Sequence, residues 1–198
     1  MTTIHDVEQR SPEWFAIRLG RITGTSLKDL MNKKPVTQCA LFYRLAAEAC
    51  GDQEQKELFT SKDMQLGIDR EPIARLKAGS EYKEFGFITN SNIPNAGLSP
   101  DGLTEDLKRG VEIKCPGWKS HINTLITGEI PDEYKWQVVH YFVVIEELEE
   151  MLFYSYRPEN TKHPEVRITV TRAEMAIEIE AAKARLKEME TAVWAVTN

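Results

Sequence analysis

Residues 98–116, LSPDGLTEDLKRGVEIKCP, constrain the fold more than any other stretch of this 198-residue chain. Two short runs bounded by Pro and Gly flank a polar turn, which is the pattern of a β-hairpin. With the turn centred near Asp106–Leu107, Asp101 falls opposite Glu112. The period of two in Val111-Glu112-Ile113-Lys114-Cys115 sends Glu112 and Lys114 to one face, and Val111, Ile113 and Cys115 to the other. Like charges directly opposite destabilise a sheet, so a carboxylate pair in this register predicts something cationic between them. Oxygen-only ligation suits Mg²⁺ or Mn²⁺ rather than zinc, and no cluster of Cys or His argues otherwise. A lysine beside such an ion can orient a water, or accept its proton if its reference pKa of about 10.4 is brought down. The same charges also fit an ordinary solvated hairpin face, because E-x-K is common, and the residues alone leave both readings open.

Around the hairpin the chain reads as helices and short strands. Ser11 before Pro12, and Thr23–Thr25 before Ser26–Met31, are helix starts. Residues 37–50 read as a buried helix stopped by Gly51. Another helix is expected from Ser61 to about Leu76, with Met64, Leu66, Ile68, Ile73 and Leu76 as its apolar set and a kink or boundary at Pro72. FGFIT, AGLSPDGLT and GVEIKCP read as strands, as do MLFYSYRP and VRITVTR. Helical pattern covers about 118–127 and 132–146, and a C-terminal helix about 173–196. No repeat or Pro/Gly/Ser linker divides residues 1–198, so the economical architecture is one α/β domain, a small central mixed β-sheet flanked by helices.

The net charge of −6 opposes a nucleic-acid partner unless charge is unevenly placed. It is uneven: residues 1–34 and 107–120 each carry an excess of Lys and Arg, whereas Glu146-Glu147-Leu148-Glu149-Glu150 is acidic throughout. No apolar run approaches the roughly 20 residues of a membrane span, and the polar start MTTIHDVEQR does not read as a signal peptide. Cys39, Cys50 and Cys115 form neither a C-x-x-C pair nor an even set, which predicts reduced thiols in a cytoplasm, with no zinc or iron–sulfur site.

S-P-D-G followed by E-I-K-C-P matches the PD-(D/E)XK nuclease motif. Together with the N-terminal W-F-A-I-R-L-G-R-I-T-G-T, these motifs resemble the phage lambda exonuclease family, also called YqaJ-type viral recombinases, from about Ser11 to Tyr156. The resemblance implies a restriction-endonuclease-like core and a metal-dependent exonuclease. It places metal on Asp101, Glu112, the Ile113 backbone carbonyl and Glu71, with Lys114 as the catalytic lysine. Glu71 also suits a plain i,i+4 salt bridge with Arg75. Gln137 and Tyr141 resemble a Q-x-x-x-Y element, which implies a catalytic role for Gln137 and a DNA contact for Tyr141, although Val139 stands where many members carry a second glutamine. Arg18 matches the arginine that binds a 5′ phosphate, with Thr25 and Ser99 as hydroxyl partners. Trp14, one turn before Arg18, can share that site or lie in the core. Met64 aligns with an apolar wedge at the duplex end, and also suits a helix core. His5, His121, His140 and His163 read as structural.

By this resemblance the chain is expected to degrade the 5′ strand of duplex DNA with two Mg²⁺ ions, Mn²⁺ serving as a substitute. It would leave mononucleotides and a 3′ overhang for a single-strand annealing protein, and assemble as a ring-shaped homotrimer in a bacterial or phage-infected cell. The ring would turn the basic segments inward and the acidic run outward. Another PD-(D/E)XK nuclease, structure-specific or restriction-type, and a catalytically silent DNA-end-binding subunit are the rival readings.

Overall fold

A computed structural model describes residues 1–52 and 62–198. Among these, the elements in chain order are β1 (Thr2–His5), α1 (Pro12–Arg18), α2 (Gly24–Leu30), α3 (Pro35–Ala49), α4 (Lys62–Ala78), β2 (Phe87–Asn90), β3 (Ile93–Leu98), β4 (Gly102–Leu103), β5 (Arg109–Lys114), α5 (Trp118–Thr127), α6 (Asp132–Val144), β6 (Glu150–Tyr156), β7 (Glu165–Thr171) and α7 (Ala176–Thr197). The expected mixed sheet is the four-stranded one, ordered β4-β5-β6-β7, with β5 and β6 parallel and the other pairs antiparallel. Beside it lies a second, antiparallel sheet, β1-β2-β3. Its strand β1 went unread because Thr-Thr-Ile-His carries no run of alternating apolar residues.

Strand β6 is covered on both faces, and its alternation shows how the layers divide. Met151 and Phe153 point into the main core with α2, α3, α6 and α7, while Leu152, Tyr154 and Tyr156 pack with Val111, Ile113 and α4. A strand buried on both sides reads as nearly continuous apolar sequence, as MLFYSY does. The parallel step from β5 to β6 needs a crossover, which α5 and α6 supply.

The helix caps follow the sequence. Ser11 Oγ accepts the Trp14 N–H at the start of α1, and Thr23 with Ser26 forms a capping box on α2. Gly51, at φ +84°, ends α3 in the left-handed conformation open to glycine. Three helix expectations need correction. Helix α3 buries only Leu41 and Leu45, so it is a half-covered surface helix. Helix α4 runs through Pro72 without a boundary there. It packs on the sheet through Ala74 and Ala78, whose small side chains permit close approach, while Ile73 and Leu76 stay 53% and 73% exposed. The expected start of that helix at Ser61 and the Met64 side chain lie outside the described residues.

The charge map also departs from expectation at one point. Lys108 Nζ lies 2.8 Å from Glu149 Oε1 and Arg109 pairs with Glu81, because β5 and β6 start side by side. The acidic run therefore adjoins the basic segment at 108–109 instead of facing away from it. Among the described residues no helix is long and apolar enough to cross a membrane.

Candidate active site

The hairpin register bears out the sequence arithmetic. Gly102 pairs with Val111 and Leu103 with Gly110, so Asp101 stands opposite Glu112 at the open end. Asp101 Oδ2 accepts the Ile113 N–H at 2.7 Å, and the Asp101 N–H donates to the Tyr141 hydroxyl at 2.8 Å. Glu112 is 6% exposed, and its Oε1 lies 2.5 Å from Lys114 Nζ. Burial, and next the Glu112 charge, push the Asp101 carboxyl well above the usual carboxylate range. Burial alone would lower the Lys114 pKa, but Glu112 and Asp101 outweigh it and the ammonium is held more firmly than in a free lysine. A buried carboxylate and a part-buried one thus face a single ammonium, a set short of positive charge.

Among the described residues no three His, Cys, Asp or Glu side chains already form a metal cluster. The donor chemistry nevertheless fits a hard divalent cation: two carboxylates that repel each other, only oxygen ligands, and a backbone carbonyl between them. Glu71 stands at the edge of this group, near enough to raise Asp101. Its own carboxyl is raised by burial against the pull of Arg75. The salt bridge to Arg75 forms, at 2.7 Å, so Glu71 is held beside the carboxylate pair by it.

The second half of the site is carried by α1. The indole N–H of Trp14 and one guanidinium N–H of Arg18 each donate to Ser99 Oγ at 2.8 Å, and the guanidinium lies 3.9 Å over the Trp14 ring. The i,i+4 spacing that suggested a shared face is thus realised. Burial first and Arg44 second lower the Arg18 pKa to about 10. Ser99 is two residues from Asp101, so a single short segment joins the arginine to the carboxylates. Thr25 is exposed on the first turn of α2, and a Cβ added to the adjacent Gly24 would meet Gln137 of α6 at 3.8 Å, ordinary van der Waals contact. Gln137 Oε1 is buried with no hydrogen-bond partner among the described residues.

Residues 13–147 match the YqaJ-like viral recombinase domain, well over half of the chain. The chain belongs to that family. A crystal structure of an alkaline exonuclease (LHK-Exo) from Laribacter hongkongensis is similar over 93% of this chain and 95% of its own, with 29% identity and a TM-score of 0.78; so is the same protein in complex with dAMP. Among curated proteins no match is found. The architecture of this YqaJ-family chain is accordingly the restriction-endonuclease-like α/β core.

One expectation changes at this site. Tyr141 was grouped with DNA-contacting residues, but it is 1% exposed and its hydroxyl instead bridges the hairpin, donating to the Val111 carbonyl at 3.2 Å while accepting from Asp101. An i,i+4 pattern with Gln137 gives a face, not a depth. His140 and His121 are structural, as read: His140 donates to the Gly97 carbonyl, and His121 bridges Ser155 and the His163 carbonyl. Two positioning residues were missed. Arg75 Nε donates to the Asp101 carbonyl while its other nitrogens hold Glu71 and Glu84. The Tyr134 ring, stacked on Phe153, faces Lys114 Nζ at 5.2 Å from its centroid. Arg75 carried a sequence signal only as a partner for Glu71, and Tyr134 carried none.

Proposed function

We propose that this chain is a 5′-to-3′ exonuclease of double-stranded DNA that removes mononucleotides from the 5′ strand and leaves a 3′ overhang for strand annealing. The observation that carries the reading is the Ser99–Asp101 segment, which ties an arginine with no carboxylate partner among the described residues to the Asp101–Glu112 carboxylate pair. Two residues reach at most about 7 Å, the scale of one nucleotide. A 5′ phosphate on Arg18 and Ser99 therefore puts the next phosphate at Asp101 and Glu112, which suits release of single nucleotides. The exonuclease name of the Laribacter protein, and its complex with dAMP, agree with this substrate class.

Asp101, Glu112, the Ile113 carbonyl and Glu71 would hold Mg²⁺, two ions per site with Mn²⁺ as a substitute. Bound there, the metal neutralises phosphate charge and activates water. The chain's own residues do the rest. Lys114, charged while Glu112 and Asp101 face it, directs a water toward the phosphorus and meets developing negative charge. It acts as a base only when those carboxylates are otherwise engaged. Tyr134 covers the ammonium, and Arg75 fixes the Asp101 backbone. Gln137, with its free carbonyl, orients a donor at the α2–α6 seam. Trp14, stacked on the planar Arg18 guanidinium, orients it for a bidentate phosphate contact, and Thr25 adds a hydroxyl. Met64 remains the proposed wedge at the duplex end.

A homotrimer ring belongs to the same proposal, and two exposed apolar stripes support it. Trp118, Ile122 and Ile126 line one face of α5, and Leu66, Ile73 and Leu76 one face of α4. They lie on opposite faces of the four-stranded sheet, the arrangement that a head-to-tail contact needs and a two-fold one does not. A single-strand annealing protein as partner and a cytoplasmic setting belong to the same proposal, with family membership and three free cysteines in support.

The deciding experiment offers 5′-phosphorylated linear duplex and covalently closed circular DNA, with Mg²⁺ or with EDTA. Shortening of the 5′ strand alone, in Mg²⁺ alone, with the circle intact, is the expected result. Nicking or cutting of the circle makes the chain an endonuclease, and end binding without cleavage makes it a silent subunit.

A further inference from the structure

Among the described residues Arg10 and Leu107 are the ones other than glycine that hold a positive φ, +72° and +60°. Leu107 closes the turn between β4 and β5; Arg10 stands just before α1. A side chain with a Cβ is disfavoured in that conformation, and glycine would adopt it freely. The neighbours of Arg10 hold it there. Gln9 Nε2 donates to the Phe85 carbonyl at 2.9 Å and to the Pro100 carbonyl at 3.2 Å, and the Ser11 N–H donates to the Glu8 carbonyl at 3.1 Å before Ser11 caps α1. Pro100 is bonded to Asp101, so the Arg10 backbone is pinned beside the carboxylate pair. Arg18 and Trp14 reach Ser99 while Gln9 reaches Pro100, which lays α1 and this turn along residues 99–101 with the two arginines at opposite ends of the helix. The Arg10 side chain is exposed and has no carboxylate partner among the described residues. Glu71, raised by burial, is drawn back by Arg75 and also by Arg10, in agreement with that placement. Strain held in place at the mouth of a site points to use of the strained residue.

We propose that Arg10 is a positioning residue that grips a phosphodiester of the strand being cut, on the side of the Asp101–Glu112 pair away from Arg18. The proposal rests on the reading of that pair as the cutting site. Helix α1 has seven residues and so spans about 10 Å, which assigns the arginines at its two ends to different phosphates. The scissile linkage then lies between them, held from both sides. A diester offers two unesterified oxygens and one charge, which a planar guanidinium meets with two parallel hydrogen bonds. The pinned turn matters because it fixes the root of a long side chain that would otherwise lose more freedom on binding. Alignment of the linkage against the attacking water is what such a grip supplies.

The test measures binding of a 5′-phosphorylated duplex end in EDTA, in an Asp101→Asn background that does not cut, for the parent, Arg10→Gly and Arg10→Asn. Both replacements tolerate a positive φ, so melting temperatures at or above the parent's are expected. Affinity should nevertheless fall roughly tenfold, the weight of one charge-assisted hydrogen-bonding group. One phosphate contact contributes about 0.9 to the slope of log affinity against log salt, so between about 50 and 200 mM salt the parent should lose about threefold more affinity than either variant. An uncharged methylphosphonate at the second linkage from the 5′ end, the one beyond the first cut, should weaken the parent by the same factor as Arg10→Gly and leave that variant unmoved. A lowered melting temperature with an unchanged salt slope makes Arg10 a structural residue and overturns the proposal, as does a methylphosphonate effect equal in parent and variant. If Arg10→Gly changes nothing while Arg18→Ala still removes the preference for a phosphorylated end, this grip falls and the cutting-site reading stands. If the parent binds ends no better than closed circular duplex, both fall.

Discussion

Neutralising Asp101 and neutralising Glu112 should abolish the same activity yet move stability in opposite directions. Asp101→Asn removes a buried charge that burial and Glu112 both oppose. An Asn oxygen can still accept the Ile113 N–H now held at 2.7 Å, and Lys114 keeps Glu112 at 2.5 Å. That penalty is absent from a neutral Asn, so metal-free Asp101→Asn should gain stability on the scale of an ordinary single substitution, about 1–2 kcal/mol, or about 2–8 °C in Tm for a chain of this size. Glu112→Gln instead takes the nearest counter-ion from a largely buried ammonium. Breaking a buried pair outright costs about 3–5 kcal/mol. Asp101 remains as a more distant partner, so a loss of about 1–3 kcal/mol is expected. Thermal melts in EDTA read both shifts. Saturating Mg²⁺, at about a hundred times its Kd, should then raise the wild-type protein by about 2.7 kcal/mol and leave both variants nearly unmoved. A Glu112→Gln variant that melts above wild type, or one that is folded and still digests DNA with Mg²⁺, refutes the assignment of Glu112 as the residue shared by lysine and metal.

Three further outcomes follow from particular contacts. Arg75→Met should lower cleavage about tenfold or more while retaining the fold, because it releases the Asp101 carbonyl and Glu71 together; single-turnover rates that match wild type would remove Arg75 from the site. His140 is buried neutral, with its pKa lowered to about 4 from 6.5 chiefly by burial. Its stability contribution is therefore full above about pH 6.5 and lost as pH falls toward 4, about 3 kcal/mol in all, and His140→Gln should flatten acid melting curves over that window. Ile126→Asp, at a position 77% exposed on α5, should dissociate the proposed ring without unfolding the subunit, and light scattering that shows an unchanged mass would rule α5 out as an interface.

How far the sequence could be read depended on whether a feature was set locally. The pairing of Asp101 with Glu112 was legible because a hairpin register follows from its turn, and period-two alternation then assigns faces. Helix caps at Ser11 and Thr23 were legible for the same local reason. What α3 and α4 bury was not. Periodicity marks an apolar stripe, yet it does not say whether another element covers it, and α4 reaches the sheet through Ala74 and Ala78 instead of its large residues. β1 escaped because its place depends on pairing with β2, more than eighty residues away.

The site shows the same division within single residues. Arg18 and Trp14 share a face by helical spacing, which a sequence displays, but what they share is Ser99, at a separation of 81 residues from Arg18. Only the family resemblance could join those positions. Tyr141 lay in a recognised spacing and still took a different place, because the hydroxyl that would have met DNA is used to hold the Asp101 amide and the Val111 carbonyl. Residues that do the chemistry are thus marked by their type and spacing, whereas those that hold them are chosen by geometry between distant segments.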